Sequence, residues 1–237
     1  MQELSLSVGE PFTSPAWGSN FVVFAGETGN PVPEPQTKEY IRRCCKYARH
    51  YNVWLVPERF ILMGYQCMGI IDPGGKVLGA QKAIYNSPVF KATEKKSSEL
   101  EIFSTGFGNI FLCVDVDIYR PEIPRIVSNM GAQIIICSQS LGRGDYSSHM
   151  VLTGAWNAAQ LAGTYVIAVT NQFNCVCVPV DFTPLRDGFI NPPNLKMPMT
   201  ARIMADKLDN LRMPKPLNRK FYDTHRGELI GQLIIDS

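Results

Sequence analysis

The stretch GFGNIFLCVDVDIYRPEIPRIVSNMGAQIIICSQS, residues 106–140, contains two apolar strands separated by a helix. β-Branched and aromatic residues dominate 110–115 and 133–137, and both runs are too apolar to have a solvent face. Between them, Pro121 and the acidic residue after it suit the first turn of a helix, and Gly131 ends that helix. The stretch therefore predicts buried strands that are covered by helices.

The same pattern recurs along the rest of the chain. Further apolar runs predict strands at 21–24, 53–56, 61–71, 165–169 and 228–235. Helices are predicted over 34–51, where Tyr40, Cys44, Tyr47 and Tyr51 share one face, and over the small-residue-rich 147–163. Asp-Pro-Gly-Gly within 70–79 predicts a hairpin turn, and the Pro-rich segment 178–226 predicts a long irregular surface segment. These elements indicate one α/β domain spanning residues 1–237.

The charge and apolar patterns exclude several classes of partner. The chain carries 23 basic and 21 acidic residues, a net charge of +2, and no basic cluster typical of nucleic-acid binding or membrane attachment stands out. No apolar run approaches the roughly 18 residues that a membrane-spanning helix needs, and the N-terminus lacks a signal-peptide pattern. We therefore expect a cytoplasmic protein whose partner is a small molecule or a protein.

The cysteines favour reduced thiols. There are seven, an odd number, and their spacing fits neither a disulfide framework nor a zinc ribbon. Cys175 and Cys177 are separated by one residue, which is poor geometry for a metal knuckle, and only three histidines are present. We expect no metal and no cofactor.

Several segments occur in an order typical of one enzyme family. Besides residues 106–140, these are NVWLVPERF at 52–60, GIIDPGGKVLGAQKAI at 69–84, WNAAQLAGTYVIAVTN at 156–171 and GELIGQLIID at 227–236. Over residues 20–171 and the last strand, the chain resembles the nitrilase, or carbon-nitrogen hydrolase, superfamily. The resemblance implies a four-layer αββα sandwich that commonly forms homodimers or larger oligomers. It also implies hydrolysis of a small amide, carbamoyl compound or nitrile by a Glu-Lys-Cys triad.

The position of the nucleophile departs from the family pattern. In the family, the nucleophilic cysteine lies seven residues after the glycine that starts the strand and six before the proline of Pro-Glu. Counting from Gly108 and from Pro121, both distances reach Asp115. Cys113, two residues earlier, is the alternative nucleophile, but its place within the strand predicts a buried thiol with a raised pKa.

The other triad positions are assigned by the same resemblance. Lys82 takes the lysine position, although one residue is missing between Gly79 and Lys82. Glu27 takes the position of the general base, with Ala-Gly in place of the expected proline, and Glu58 in the Pro-Glu of WLVPE is the alternative base. Glu94 and Glu99 are the alternatives for the family's auxiliary glutamate, and the third helix carries Gln160 or Leu161 where many members have another acid.

The segment before residue 21 is too short and too Pro-rich for the long helix with which family members usually open. One outer helix of the sandwich is therefore expected to be missing or supplied by a partner subunit.

Two functions remain open on sequence grounds. The first is a divergent carbon-nitrogen hydrolase, impaired because aspartate replaces the cysteine; the second is a non-catalytic relative that serves small-molecule binding or assembly.

Overall fold

Two β-sheets pack face to face, with helices on their outer surfaces. The computed structural model describes residues 1–26, 30–85, 95–141 and 148–208. The strands are β1 (Leu4–Gly9), β2 (Phe21–Phe24), β3 (Trp54–Val56), β4 (Phe60–Leu62), β5 (Tyr65–Ile71), β6 (Val77–Lys82), β7 (Ile102–Thr105), β8 (Gly108–Val114), β9 (Ile134–Gln139), β10 (Tyr165–Thr170), β11 (Asn174–Cys177), β12 (Phe189–Asn194) and β13 (Met199–Ile203).

The first sheet has the order β13-β1-β2-β3-β5-β4, and β6 pairs with β5. β1, β2 and β3 are parallel, and β13 runs antiparallel to β1 at the edge. Helix α1 (Glu34–Tyr51) covers the outer face of this sheet and has the bounds that the sequence predicts. Tyr40, Cys44 and Tyr47 of α1 are buried as predicted, because their spacing places them on one side of the helix.

The second sheet has the order β12-β11-β10-β9-β8-β7, and its central strands β8, β9 and β10 are parallel. Its outer face is covered by α2 (Glu122–Asn129), α3 (Ser148–Val151) and α4 (Asn157–Ala162), with one π-helical turn at Leu152–Trp156 between the last two. The helix predicted over 147–163 is therefore two short helices joined by a wider turn. Apolar side chains of all these helices pack against the sheet.

Three apolar clusters separate the layers. The largest lies between the sheets and includes Leu6, Phe21, Met68, Leu112 and Ile167. The second lies under α2 and α4, and the third lies under α1. This is the four-layer αββα arrangement that the sequence resemblance implies.

The missing outer helix is also confirmed. Residues 10–20 connect β1 to β2 and contain no helix. In its place Phe12 packs on the outer face of the first sheet, with its ring centroid 5.3 Å from that of Phe24. A single aromatic side chain and a short loop thus cover an area that a helix would otherwise cover.

Two predictions about the strands are wrong. The run 61–71, predicted as one strand, is divided by a turn at Met63 and Gly64, both of which have positive φ, as a tight hairpin requires. Within 178–208, β12 and β13 replace part of the predicted irregular segment. Proline is tolerated in β12 because it is an edge strand. The strand predicted at 228–235 lies outside the described residues.

In the ranges that the structure describes, no helix combines the length and the apolar character needed to cross a membrane.

Candidate functional site

The candidate site lies where the parallel strands β8 and β9 end. Gly108 starts β8 with a positive φ of 121°, and the strand ends at Val114. Asp115 follows at once, begins a 3-10 turn and has a left-handed φ of 53°. A non-glycine residue in this conformation is uncommon, and sharp strand-to-helix turns of this kind present reactive side chains in other α/β enzymes. The counted register therefore places Asp115 at a turn of the kind that could present a nucleophile.

Asp115 is bound to an arginine from the other sheet. Arg59, which directly precedes β4, places Nη1 3.4 Å from Asp115 Oδ1, and both side chains are at most 3% exposed. The same Oδ1 accepts a hydrogen bond of 3.1 Å from the backbone N–H of Ser140. Arg59 also donates through Nη2 to the Ser140 hydroxyl. The pair therefore joins the two sheets across the carboxyl ends of β8 and β9.

The electrostatics of this pair depend on burial. Removal from water lowers the pKa of the Arg59 guanidinium, and the neighbouring Asp115 carboxylate opposes that shift. A buried charge without a partner is strongly unfavourable, so each group requires the other to remain charged. Asp115 Oδ2 has no hydrogen-bond partner in the described part of the chain, which leaves one acceptor of the carboxylate unused.

The alternative base Glu58 lies next to this pair. A Cβ atom at Gly26 would stand 2.2 Å from Glu58 Oε1, so the glycine leaves the space that the carboxylate occupies. Glu58 and Arg59 line a small cavity together with Gly26, Asn30, Ser138, Gln139, Val169, Thr170 and Asn171. Its volume is about 10 Å³, which suffices for about one water molecule. The lining is polar, but the space is too small for an amide substrate.

Solved structures of known proteins share this architecture. The carbon-nitrogen hydrolase from Helicobacter pylori is 14% identical, with a TM-score of 0.72 over 94% of this chain and 97% of that one. Saccharomyces cerevisiae Nit3, a member of branch 10 of the nitrilase superfamily, is 13% identical, with a TM-score of 0.72 over 91% and 95% of the two chains. A variant of the amidase from Nesterenkonia sp. AN1 in complex with butyramide is 16% identical, with a TM-score of 0.65 over 87% and 93%. The chain has the nitrilase-superfamily fold.

The sequence comparisons give no match. No protein-family model matches this chain, and no curated protein does. The nitrilase fold is thus recognised from the structure alone. Sequence identities of 13–16% to the solved structures do not assign an activity to this chain.

Within this nitrilase fold, the predicted lysine does not pair with Asp115. Lys82 ends β6, is half-buried, and places Nζ 4.9 Å from the centroid of the Tyr65 ring. The described residues form three ion pairs, and Lys82 takes part in none of them. Instead, Lys82 and the exposed Glu99 line a separate cavity of about 380 Å³. The cation beside Asp115 is Arg59.

The other acidic positions assigned from the family resemblance are either outside the described residues or on α4. Glu27 and Glu94 lie outside the described residues. Gln160 links α4 to the segment after β11, because its side chain donates to Val178 O at 3.0 Å and accepts from Val180 N at 2.9 Å. Leu161, next to it, is exposed. Neither residue of α4 contributes an acid to the site.

Cys113 has the environment that the sequence predicts for a strand-interior thiol. It is fully buried in β8 and pairs in register with Cys137 on β9. Burial, followed by the neighbouring Cys137, raises the pKa of Cys113 well above its ordinary value. Such a thiol is protonated and shielded, which is unfavourable for a nucleophile.

Asp117 holds the turn after Asp115 against the segment that follows Lys82. Its two carboxylate oxygens accept hydrogen bonds from Ile84 N at 3.0 Å and from Tyr85 N at 2.8 Å. Burial raises the pKa of Asp117 to about 7, because it outweighs these two donors. Asp117 therefore positions the backbone of the site and does not face the cavity.

Sequence reasoning missed Arg59. The available signal was the pair of charged residues Glu58 and Arg59 in the otherwise apolar run VPERFIL at 56–62, because charged side chains are rarely buried without a partner. Over the described ranges, no three His, Cys, Asp or Glu side chains converge in a way that could hold a metal ion.

The Arg59→Met variant tests the importance of the buried pair. The substitution leaves Asp115 buried without its cation, and we expect the free energy of unfolding to fall by about 3–5 kcal/mol in urea denaturation. Arg42→Met is the matched control, because Arg42 pairs with Glu39 on the exposed face of α1. The control should change stability by less than about 1 kcal/mol. Equal effects of the two substitutions would contradict the assignment.

Asp117 predicts a pH dependence of stability. The ordinary pKa of 3.8 is raised to about 7, so between these pH values the unfolded chain has released a proton that the folded chain retains. Relative to Asp117→Asn, the free energy of unfolding of the unmodified protein should decrease as the pH rises from about 4 to about 7. Urea denaturation at a series of pH values measures this difference. A difference that stays constant or grows with pH would contradict the burial argument.

Proposed function

We propose that this protein is a member of the nitrilase superfamily that does not hydrolyse carbon-nitrogen bonds by the cysteine mechanism. The observation that carries the proposal is the buried ion pair of Asp115 with Arg59, at the turn where the sequence resemblance puts the nucleophile. A carboxylate that attacked an amide would form an anhydride, which is a poor acyl intermediate for breaking a stable bond. The cavity beside the pair has a volume of only about 10 Å³, which is too small for an amide substrate.

Two further observations support the loss of the cysteine mechanism. Cys113 is fully buried within its strand, and Lys82 faces Tyr65 at a different cavity. An activated cysteine needs an adjacent base or cation and access for the substrate. By position in the sequence, Asp115, Lys82 and Glu27 remain the proposed counterparts of the triad. Glu58, which directly precedes Arg59, remains the alternative base.

Assembly is the function that we favour for such a chain, as a homodimer or larger oligomer of the single domain. Ile126 on α2, Met130 directly after α2 and Leu161 on α4 are each almost half-exposed, and these two helices pack together. An apolar surface of this kind is typical of a subunit contact. Light scattering should give a multiple of the 26.4 kDa chain mass, and a stable monomer would reject this proposal.

The seven free cysteines support a reducing, cytoplasmic location.

Small-molecule binding is the second candidate. The cavity lining is polar and includes the side chains of Ser138 and Gln139, a kind of lining that suits a small amide, carbamoyl compound or nitrile. A structural neighbour binds butyramide. Because the cavity holds about one water molecule, this candidate requires the pocket to widen when the ligand enters.

The proposal is tested by comparing the unmodified protein with Asp115→Cys and Asp115→Ala. Fluoroacetamide adds its acetamide moiety to the active-site cysteine of a variant of the Nesterenkonia amidase, so intact mass after exposure to it reports a competent nucleophile. In Asp115→Cys, the Arg59 guanidinium lies beside the new thiol and lowers its pKa, so the thiolate replaces the carboxylate as partner of the guanidinium. We expect one adduct on Asp115→Cys, none on the unmodified protein or Asp115→Ala, and no ammonia release from butyramide by the unmodified protein.

Two outcomes would contradict the proposal. Ammonia release by the unmodified protein that is lost in Asp115→Asn would show that Asp115 takes part in catalysis. A folded Asp115→Cys variant without an adduct would remove the basis for placing residue 115 at the nucleophile position. Circular dichroism of each variant establishes that it is folded.

A further inference from the structure

The loop that replaces the outer helix leaves a basin on the surface of α1, far in sequence from Asp115. We name it the α1 basin and define it by the residues that line it, Phe12, Arg43, Lys46, Tyr47, His50 and Tyr51. It is open to solvent and has a volume of about 500 Å³, which lies within the range of small-molecule sites. None of these residues contacts Asp115, Arg59 or the cavity beside them.

Aromatic rings form the floor of the α1 basin. The ring centroid of Tyr47 lies 6.3 Å from that of Phe12 and 4.7 Å from that of Tyr51, and the His50 ring lies 4.6 Å from Tyr51. The rings of His50 and Tyr51 reach the surface, because His50 is exposed and Tyr51 is half-buried. The floor therefore offers ring faces and edges on which a planar ligand can stack.

The loop holds this floor in place. Tyr47 donates a hydrogen bond of 2.8 Å to the carbonyl of Thr13, and the hydroxyls of Tyr51 and Ser14 are 3.1 Å apart. Phe12 has a positive φ of 64°, which is a rare conformation for a bulky residue. Several contacts thus fix a strained loop against the last turns of α1, so the basin is preformed.

Cations surround the aromatic floor. From Arg42 to Tyr51 the helix contains four Lys or Arg residues and no Asp or Glu, although the net charge of the whole chain is only +2. Arg43 and Lys46 form no ion pair with any described residue. The Arg43 guanidinium carbon lies 4.0 Å from the Phe12 ring centroid, which is a cation–π contact. Among the nearby acids, Glu10 lines a separate adjoining cavity.

We propose that the α1 basin binds a nucleoside phosphate. The base would stack on the surface rings, and the phosphate would bind the Arg43 guanidinium and the Lys46 ammonium. An acidic peptide would match the cations alone and would leave the aromatic floor without a role. A planar base joined to an anion matches both features, and its size agrees with the volume of the basin.

The ligand can be a free nucleotide or a residue of a single-stranded nucleic acid, and Trp17 distinguishes these sources. Trp17 is fully exposed and lies three residues beyond Ser14 on the same loop. A strand bound through one nucleotide in the basin would place a neighbouring base within reach of the Trp17 ring. A free mononucleotide would not need it.

The experiment uses the full chain and four probes: adenosine 5′-monophosphate, ribose 5-phosphate, a single-stranded oligodeoxyadenylate and polyglutamate. The test variant is Arg43→Ala with Lys46→Ala. The matched control is Lys38→Ala with Arg42→Ala, which removes two charges from the same helix outside the basin. Tyr51→Leu removes a ring while keeping an apolar side chain, and Trp17→Ala tests the oligonucleotide contact. Calorimetry measures the affinities, and circular dichroism checks the folding of each variant.

We expect adenosine 5′-monophosphate to bind at least about tenfold more tightly than ribose 5-phosphate, and Tyr51→Leu to remove that difference. Arg43→Ala with Lys46→Ala should weaken binding by at least about tenfold, against less than about threefold for the control. If Trp17→Ala weakens only the oligonucleotide, the ligand is a nucleic-acid strand; if it weakens neither probe, the ligand is a free nucleotide.

Several results would overturn the proposal. These are the absence of saturable nucleotide binding, equal affinity for ribose 5-phosphate and the nucleotide, and equal losses in the test and control variants. Tighter binding of polyglutamate with the same dependence on Arg43 and Lys46 would assign the surface to an acidic protein instead. None of these results bears on Asp115, so they leave the proposed loss of hydrolysis unaffected.

Discussion

Arg59 and Asp115 belong to different sheets, and the interface between those sheets must satisfy both charges without water. The guanidinium comes from the segment before β4 and the carboxylate from the turn after β8, so the two sheets meet at this pair as well as through their apolar faces. The Ser140 backbone and hydroxyl complete the contact from the next strand. Such a pair contributes less to stability than its contact suggests, because both ions are desolvated, but removing one partner is costly. The positions of Arg59 and Asp115 therefore follow from the need of each buried charge for a partner.

The sequence predicts those parts of the fold that depend on local periodicity. The bounds of α1 agree because its buried face repeats over the whole helix, and those of β2, β8, β9 and β10 agree to within about two residues because most residues of each strand are apolar. β12 and β13 were missed because edge strands carry proline and polar residues. In the site, the count from Gly108 correctly gives the position of the turn at Asp115. The partner of Asp115 could not be obtained in this way, since Arg59 meets it only through the packing of one sheet on the other.

The absence of a helix from residues 10–20 changes the exposed surface of the first sheet as well as its outer layer. A helix would cover the outer face of β1 and β2 with its own apolar stripe, whereas the loop covers it with Phe12 and leaves two cavities beside it. The side chains on the exposed part of α1 consequently face solvent and not a neighbouring helix. Their charges are only weakly screened by protein acids, because the few acids nearby pair elsewhere or line the adjoining cavity. The loop at residues 10–20 and the basic part of α1 therefore lie side by side, as the contact of Arg43 with Phe12 shows.

The pairing of β1 with β13 has a consequence for how the chain is made. The edge partner of β1 is synthesised about 200 residues after β1 itself, since Leu4 pairs with Ile203. At ordinary rates of translation, that edge stays open for roughly ten seconds or longer. An unpaired strand of alternating apolar residues is a template for intermolecular association, and such non-local pairing forms slowly. The nascent chain should therefore depend on chaperones until its last described strand emerges, and truncation before β13 should yield aggregates and not a smaller folded protein.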